Sequence, residues 1–357
     1  MSAPTEDSHV LVQVEGGIGH LTLNRPRAIN ALSHDMVRVV QAALDEWEHD
    51  DAVTAVLVDG AGERGLCAGG DIRAIYDDAR AGGDASARYW ADEYRMNAHV
   101  ARYGKPVVAL MDGIVMGGGV GLAGHASHRV VREDSVVGMP EVGIGFVPDV
   151  GGTWLLARAP GELGTHLALT TDRMDAGDAI HCGFADAFVP QARRDELVAA
   201  IRDVGPDQAL RDLATAPPAS GLAGHRSWID ECYAADHVET VLQRLDSRGE
   251  EAPSAAAGRL RAWSPTSLKV TLRALRAARG DASLGDTLVR EYRISCRCLR
   301  GHDFPEGIRA QVVDKDRTPH WEPARLTEVS DDAVDTYFAP LGDEELTLTP
   351  TTRRNHP

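Results

Sequence analysis

No stretch of this sequence approaches the roughly eighteen uninterrupted apolar residues that a membrane-spanning helix needs. The longest apolar run, PVVALMDGIV from Pro106 to Val115, is interrupted by Asp112. A membrane partner is therefore not expected. The opening MSAPTEDSHV has neither the basic and apolar regions of a secretion signal nor the arginine-rich, acid-poor character of a presequence. A cytoplasmic location is the expectation.

Cysteine is equally sparse. The five residues Cys67, Cys182, Cys232, Cys296 and Cys298 are odd in number and scattered, unlike the disulfide framework of an exported protein. Cys296 and Cys298 are spaced too closely for a CxxC redox or zinc knuckle, so reduced structural thiols are predicted. Positive charge is also short: 37 Lys and Arg stand against 54 Asp and Glu, a net charge of -17 with no local basic patch. Such a chain repels polyanions, which argues against nucleic acid as a partner. The 14 histidines include no HxxxH and no His–Cys pair at ligand spacing, so no metal site is expected. A GxSxG elbow is missing as well, which removes the serine α/β-hydrolases.

What is present alternates strand and helix. HVLVQVEGGIGHLTLN, from His9 to Asn24, shows two alternating runs around Gly-Gly and predicts a β-hairpin. Ser33 is a candidate N-cap for a helix whose apolar stripe is Met36, Val39, Val40, Ala43, Leu44 and Trp47. A strand at Ala55 to Gly62, a helix from Asp71, a helix over about Ser86 to Tyr103, a strand over PVVALMDGIV, a short helix in MGGGVGLAG, a strand at HRVVRED and a helix from about Thr153 follow. This order predicts an α/β unit up to about Pro190 with a largely parallel sheet. Residues 191–345 read mostly as amphipathic helices, and 346–357 as a disordered tail.

Glycine marks the chemistry. GxGxxG occurs twice, at Gly60, Gly62, Gly65 and at Gly119, Gly121, Gly124, but the acid that would hold a ribose is misplaced, since Glu133 and Asp134 come too early. A dinucleotide fold is not supported. Two strand-to-helix junctions, Ala68-Gly69-Gly70-Asp71 and Gly117-Gly118-Gly119, carry consecutive glycines. Glycine lets a ligand oxygen reach the backbone, and the first NH groups of a helix lack internal partners. Two such junctions can aim one NH each at a single oxygen, an oxyanion hole suited to a thioester carbonyl; tight packing alone is the competing explanation.

GMPEVGIGFVPDVGGTW, from Gly138 to Trp154, adds Glu141 and Asp149 in otherwise apolar surroundings. The seven intervening residues contain Gly143 and Gly145, so a turn could bring the two carboxylates together. Asp149 also precedes a helix, where aspartate commonly caps. Glu93, in WADEYRMN, would ordinarily be a solvated helix residue.

LTLNRPRAINAL, LCAGGDIRAIY, KPVVALMDGIVMGGGVGLAGH and MPEVGIGFVPDVGGTWLLAR resemble, in order and spacing, the signature blocks of the enoyl-CoA hydratase/isomerase (crotonase) superfamily. SPTSLKVTLRAL and EYRISCRCLRGHDFPEGIRAQVVDKDRTPHWEPA are similar to its thioester-hydrolysing branch. The likeness runs from about Val10 to Leu341, least distinctly over 191–251. It implies a crotonase-like ββα spiral core with a helical C-terminal region. Residue by residue, it implies that the NH groups of Gly70 and Gly118 form the oxyanion hole and that Glu141 is the catalytic glutamate. Asp149 matches an aspartate of the hydrolase branch where hydratases have glycine, and Glu93 a glutamate of its substrate site. Arg27, Ala28 and Ile29, with Ala68, Asp71 and Ile72, match the loops that hold coenzyme A. Hydration uses two glutamates, and the earlier one falls where this chain has Gly121, which cannot activate water.

The expectation is hydrolysis of a short 3-hydroxyacyl-CoA, foremost 3-hydroxyisobutyryl-CoA as in valine breakdown. Coenzyme A is then part of the substrate and no other cofactor is needed. The alternatives are isomerisation or hydration on the same fold, and an acyl-CoA-binding protein without turnover. The resemblance also implies a homo-oligomer, trimer or hexamer.

Overall fold

The structure, a computed structural model, describes residues 8–348. The strands are β1 Val10–Glu15, β2 Ile18–Leu23, β3 Ala55–Gly60, β4 Val107–Leu110, β5 Ile114–Met116, β6 His128–Val131, β7 Val136–Gly138, β8 Arg173–Met174 and β9 Ala187–Phe188. Through residue 181 the helices are α1 His34–Glu48, α2 Ile72–Ala81, α3 Ala85–Ala101, α4 Gly118–Ala123, α5 Gly152–Arg158, α6 Leu163–Thr170 and α7 Ala176–His181. Beyond them come α8 Arg194–Val204, α9 Pro206–Leu213, α10 Gly221–Tyr233, α11 Val238–Arg248, α12 Glu251–Ala262, α13 Pro265–Ala278, α14 Leu284–Arg300, α15 Asp303–Ile308 and α16 Asp331–Thr336.

One sheet has the order β1-β2-β3-β4-β6-β9, and a second the order β5-β7-β8. The β1–β2 hairpin is antiparallel, and every other pair in the first sheet is parallel. Side-chain alternation makes this sheet two-faced. Val56, Val58, Val107 and Ala109 join the main core, whereas Ala55, Leu57, Val108 and Leu110 join a smaller one closed by Leu197 and Ile201 of α8 and Leu213 of α9. The main core is continuous from α1 to α15, so Tyr94, Leu122 and Val150 share it with Leu268, Leu288 and Phe304.

Three expectations change. PVVALMDGIV is not one strand: the chain leaves the first sheet after Leu110 and enters the second at Ile114. Asp112, at the break, is held by Arg132 at 3.3 Å and Arg194 at 2.9 Å, and this ion-paired turn transfers the chain between the sheets. In α1, Ser33 caps as expected, its Oγ accepting from Met36 N at 3.3 Å, but Val37 is buried and Val39 is exposed. The stripe facing the core is centred on Met36, Val40 and Trp47, one position away from the side bearing Val39. At the other end, Leu346 is buried and Leu348 packs on the core, so the tail expected from 346 is ordered to at least 348. The rest of that expected tail, and residues 1–7 of the opening read for targeting signals, lie outside the described residues.

Candidate active site

Gly118 is the first residue of α4, and its NH has no acceptor within the helix. Gly117 before it adopts φ 51 and ψ -120, a backbone conformation open mainly to glycine, which turns the chain sharply from β5 into the helix. Gly70 lies on the parallel loop contact with Leu32, where Leu32 N donates to Gly69 O and Asp71 N to Leu32 O; the intervening Gly70 NH stays unused. The two junctions touch. A methyl group added at Gly118 would lie 3.4 Å from Gly70 N and 2.7 Å from Glu93 Oε1, and one added at Gly70 would lie 2.9 Å from the Tyr89 hydroxyl. A side chain at either glycine would displace a group of the site, and both glycines line the same cleft of about 130 Å³.

That cleft collects seven of the residues singled out by sequence: Ala68, Gly70, Ile72, Glu93, Gly118, Glu141 and Asp149. Arg27 and Ala28 lie exposed on a turn beside it, and Ile29 O accepts from Ala68 N at 2.9 Å, which ties the turn to its rim. Asp71 does not face the cleft. Its carboxylate pairs with Arg25 at 3.0 Å, and it borders a neighbouring cavity of about 140 Å³ together with His34 and Ser86.

Glu93 is not a solvated helix residue. It is 1% exposed, on the α3 face that also carries Tyr89, Trp90, Tyr94 and Asn97, all buried. The Tyr89 hydroxyl donates to Glu93 Oε1 at 2.9 Å. Burial, and then the nearby charge of Asp149, push the Glu93 carboxyl well above the ordinary range. Glu141 begins a short 3-10 turn after β7 and is raised by the same two causes in the same order. Its Oε2 is buried without a hydrogen-bond partner, and its Oε1 would lie 2.9 Å from a methyl at Gly117. Asp149 is raised to about 7 by burial, with the Tyr94 hydroxyl, donating to Oδ2 at 2.7 Å, holding it down. Among the described residues no Lys, Arg or His forms an ion pair with any of the three. With three buried carboxyls and no ion-paired cation among the described residues, the site favours their protonated forms, and the hydrogen bonds from Tyr89 to Glu93 and from Tyr94 to Asp149 oppose that.

Asp149 is not the helix cap that its position suggests. The N-cap of α5 is Gly151, and the cap ligand comes from α14: Glu291 accepts from Gly151 N at 2.6 Å, Thr153 N at 2.9 Å and Thr153 Oγ1 at 2.5 Å. Gly152 N donates to the Asp149 main-chain oxygen at 2.6 Å. The Asp149 side chain is thereby left to Tyr94. Between them, Val150 holds φ 53, an uncommon and costly conformation for a β-branched residue. Its Cβ would lie 2.6 Å from a methyl at Gly121, so the position where the hydratase pattern has its earlier glutamate is filled by Val150.

Sequence reasoning missed the aromatic wall. Trp90 stacks on Phe146 at 5.5 Å between centroids, and Phe146 on Phe304 of α15 at 4.2 Å. All three line the cleft. Phe146 stood in view inside GFVPD, but nothing local to HDFPEG indicates that Phe304 folds back onto it. Tyr89, Tyr94 and Glu291 were also missed; the spacing of the two tyrosines with Glu93 on one helical face was the available signal.

A family profile described as enoyl-CoA hydratase/isomerase matches residues 18–338. The chicken protein named 3-hydroxyisobutyryl-CoA hydrolase, mitochondrial, is 40% identical over 351 residues, covering 95% of this chain and 91% of its own. The human protein of the same name is 38% identical, covering 94% of this chain and 90% of its own. Among solved structures, one from Mycobacterium thermoresistibile described as a carnitinyl-CoA dehydratase superposes with a TM-score of 0.93 at 54% identity, covering 96% of this chain and 99% of that one. Another, from Rhodobacter sphaeroides and described as an enoyl-CoA hydratase, has a TM-score of 0.91 at 42% identity, covering 96% of this chain and 100% of that one. With the spiral of two sheets, the paired glycine junctions and full-length relatives in agreement, this chain belongs to the enoyl-CoA hydratase/isomerase family.

Proposed function

We propose that this protein hydrolyses the thioester of 3-hydroxyisobutyryl-CoA, a short 3-hydroxyacyl-CoA, to the hydroxy acid and free coenzyme A, the step this reaction takes in valine breakdown. The observation that carries the reading is that Glu141, with its Oε2 unpartnered, lines the same cleft as Gly70 and Gly118, whose NH groups have no acceptor among the described residues. The thioester oxygen lies between those two NH groups, which stabilise it as it gains charge; losing one such donor typically costs about 10²- to 10³-fold in rate.

Glu141 attacks the carbonyl carbon, the C–S bond breaks and a mixed anhydride forms, which water then cleaves. Asp149 takes the proton that Glu141 gives up and returns it to the departing sulfur. Glu93, steadied by Tyr89, accepts the substrate's 3-hydroxyl. The exposed Arg27 and the turn through Ala28 and Ile29, with Ala68 and Ile72, hold the coenzyme A moiety. No further cofactor is needed. In this route water attacks the Glu141 carbonyl of the anhydride, so a single turnover in heavy-oxygen water places label in the Glu141 carboxylate; label found only in the product acid would overturn that step.

A second reading, double-bond chemistry, draws on the two structures described as a dehydratase and a hydratase. The space taken by Val150 at Gly121 favours hydrolysis. Thiol release from 3-hydroxyisobutyryl-CoA, set against loss of enoyl absorbance from crotonyl-CoA, separates them. A reducing compartment such as the cytoplasm suits five buried, unbridged cysteines. A trimer or hexamer rests on the family resemblance, and light scattering of the full chain decides it.

A further inference from the structure

Three NH groups at the start of α5 are already engaged: those of Gly151 and Thr153 go to Glu291, and that of Gly152 goes back to the Asp149 main-chain oxygen. The two that Glu291 takes are ones from which the Asp149 side chain, the carboxylate just before the helix, would otherwise be placed to accept. The backbone between them is strained at Val150, with φ 53, followed by Gly151 at φ 80. Strain of this kind persists only where the surroundings hold it. Two contacts do so: His125 Nε2 on Val150 O at 2.9 Å, and Glu291, which is fully buried.

Glu291 has no other hydrogen-bond partner among the described residues, and it lies one turn before Ser295 on α14. Ser295 Oγ is 2.9 Å from the Tyr94 hydroxyl, the same hydroxyl that donates to Asp149. Residues four apart share a helix face. One face of a helix some 140 residues downstream in the chain therefore touches the Asp149 turn from its backbone side through Glu291 and from its side-chain side through Tyr94.

We propose that Glu291 is a positioning residue for the reaction: by capping α5 it keeps Asp149 from doing so, and holds that carboxyl against Tyr94 and in the cleft. Without Glu291 the free NH groups of Gly151 and Thr153 recruit the nearest carboxylate, Asp149, and the Val150 strain relaxes. The inference rests on the reading of Asp149 as part of the catalytic site.

The test is a double-mutant cycle on thiol release from 3-hydroxyisobutyryl-CoA, with Glu291→Gln, Asp149→Asn and the pair. Glu291→Gln keeps one acceptor for Thr153 but faces the Gly151 NH with a donor. It is expected to lower kcat about 10- to 100-fold while KM changes little, since misplacement by about 1 Å can cost about 10²-fold. In the Asp149→Asn background the same change is expected to lower kcat no further, because residues acting as a unit are not additive. A purely structural Glu291 would give effects that multiply, and that result overturns the proposal. So does Glu291→Gln at the wild-type rate beside a slow Asp149→Asn. Asp149→Asn at the wild-type rate would overturn both the proposal and the catalytic reading of Asp149. Thr153→Val, which removes one of the three bonds without altering volume much, carries the same cycle if Glu291→Gln does not fold; a loss of about 3- to 10-fold, absent in the Asp149→Asn background, is expected.

Discussion

The Tyr94 hydroxyl donates to Asp149 Oδ2 at 2.7 Å, and through that bond a residue of α3 holds a buried carboxyl of the cleft in place. The hydrogen bond lowers the Asp149 pKa against the larger effect of burial. Tyr94→Phe removes the donor, so the midpoint must move up from about 7. The rising limb of kcat against pH is expected to shift to higher pH by about one unit, an ordinary value for a hydrogen bond to a charged group. A profile that stays in place or moves to lower pH would contradict this.

The same burial destabilises the fold at high pH. Asp149 is raised from an ordinary 3.8 to about 7, so its contribution is fully present below pH 3.8 and is lost as pH rises through 7. At about 1.4 kcal/mol for each pH unit of displacement this is on the order of 4 kcal/mol. Asp149→Asn, which never ionises, is therefore expected to raise Tm relative to wild type by roughly 5 °C at pH 8 and by much less at pH 5. Equal differences at the two pH values in thermal melts would refute the linkage.

Gly118→Ala tests the oxyanion site without disturbing the backbone, because alanine is at home at a helix start. Its methyl would meet Glu93 Oε1 at 2.7 Å and Leu32 Cδ1 at 3.3 Å, and it would crowd the Gly70 NH. A fall in kcat of at least about 10²-fold is expected with far-ultraviolet circular dichroism unchanged.

Phe304 lines the cleft and stacks on Phe146 at 4.2 Å. Phe304→Ala enlarges the cleft there. Its kcat/KM for straight-chain 3-hydroxyacyl-CoAs longer than four carbons is expected to rise relative to 3-hydroxyisobutyryl-CoA by about 10-fold or more, at a stability cost of about 3–5 kcal/mol. An unchanged ratio would remove Phe304 from specificity.

How much of this was readable in the chain depended on whether a signal was local. The hairpin at Val10–Leu23, the Ser33 cap and the glycine junctions at Gly70 and Gly118 announce themselves within a few residues, because turn geometry and orphan NH groups impose their own residue types. Glu141 and Asp149 were recognisable as a pair for the same reason. Asp149 was also locally indistinguishable from a cap, and only Glu291, brought in by α14, resolves that. The break at Asp112 was hidden because its partners, Arg132 and Arg194, are remote. Phe304 reaches the cleft, and Ser295 the Tyr94 hydroxyl, through tertiary packing alone, which no periodicity encodes.

The central claim is that this cleft breaks a thioester and that Glu141 does the work. Release of free thiol from 3-hydroxyisobutyryl-CoA, measured for wild type and Glu141→Gln under identical conditions, tests it most directly. Thiol release by the wild type, reduced at least about 10³-fold in the variant, is the predicted result. Wild-type release no faster than the uncatalysed reaction, or equal rates in the two proteins, would contradict it.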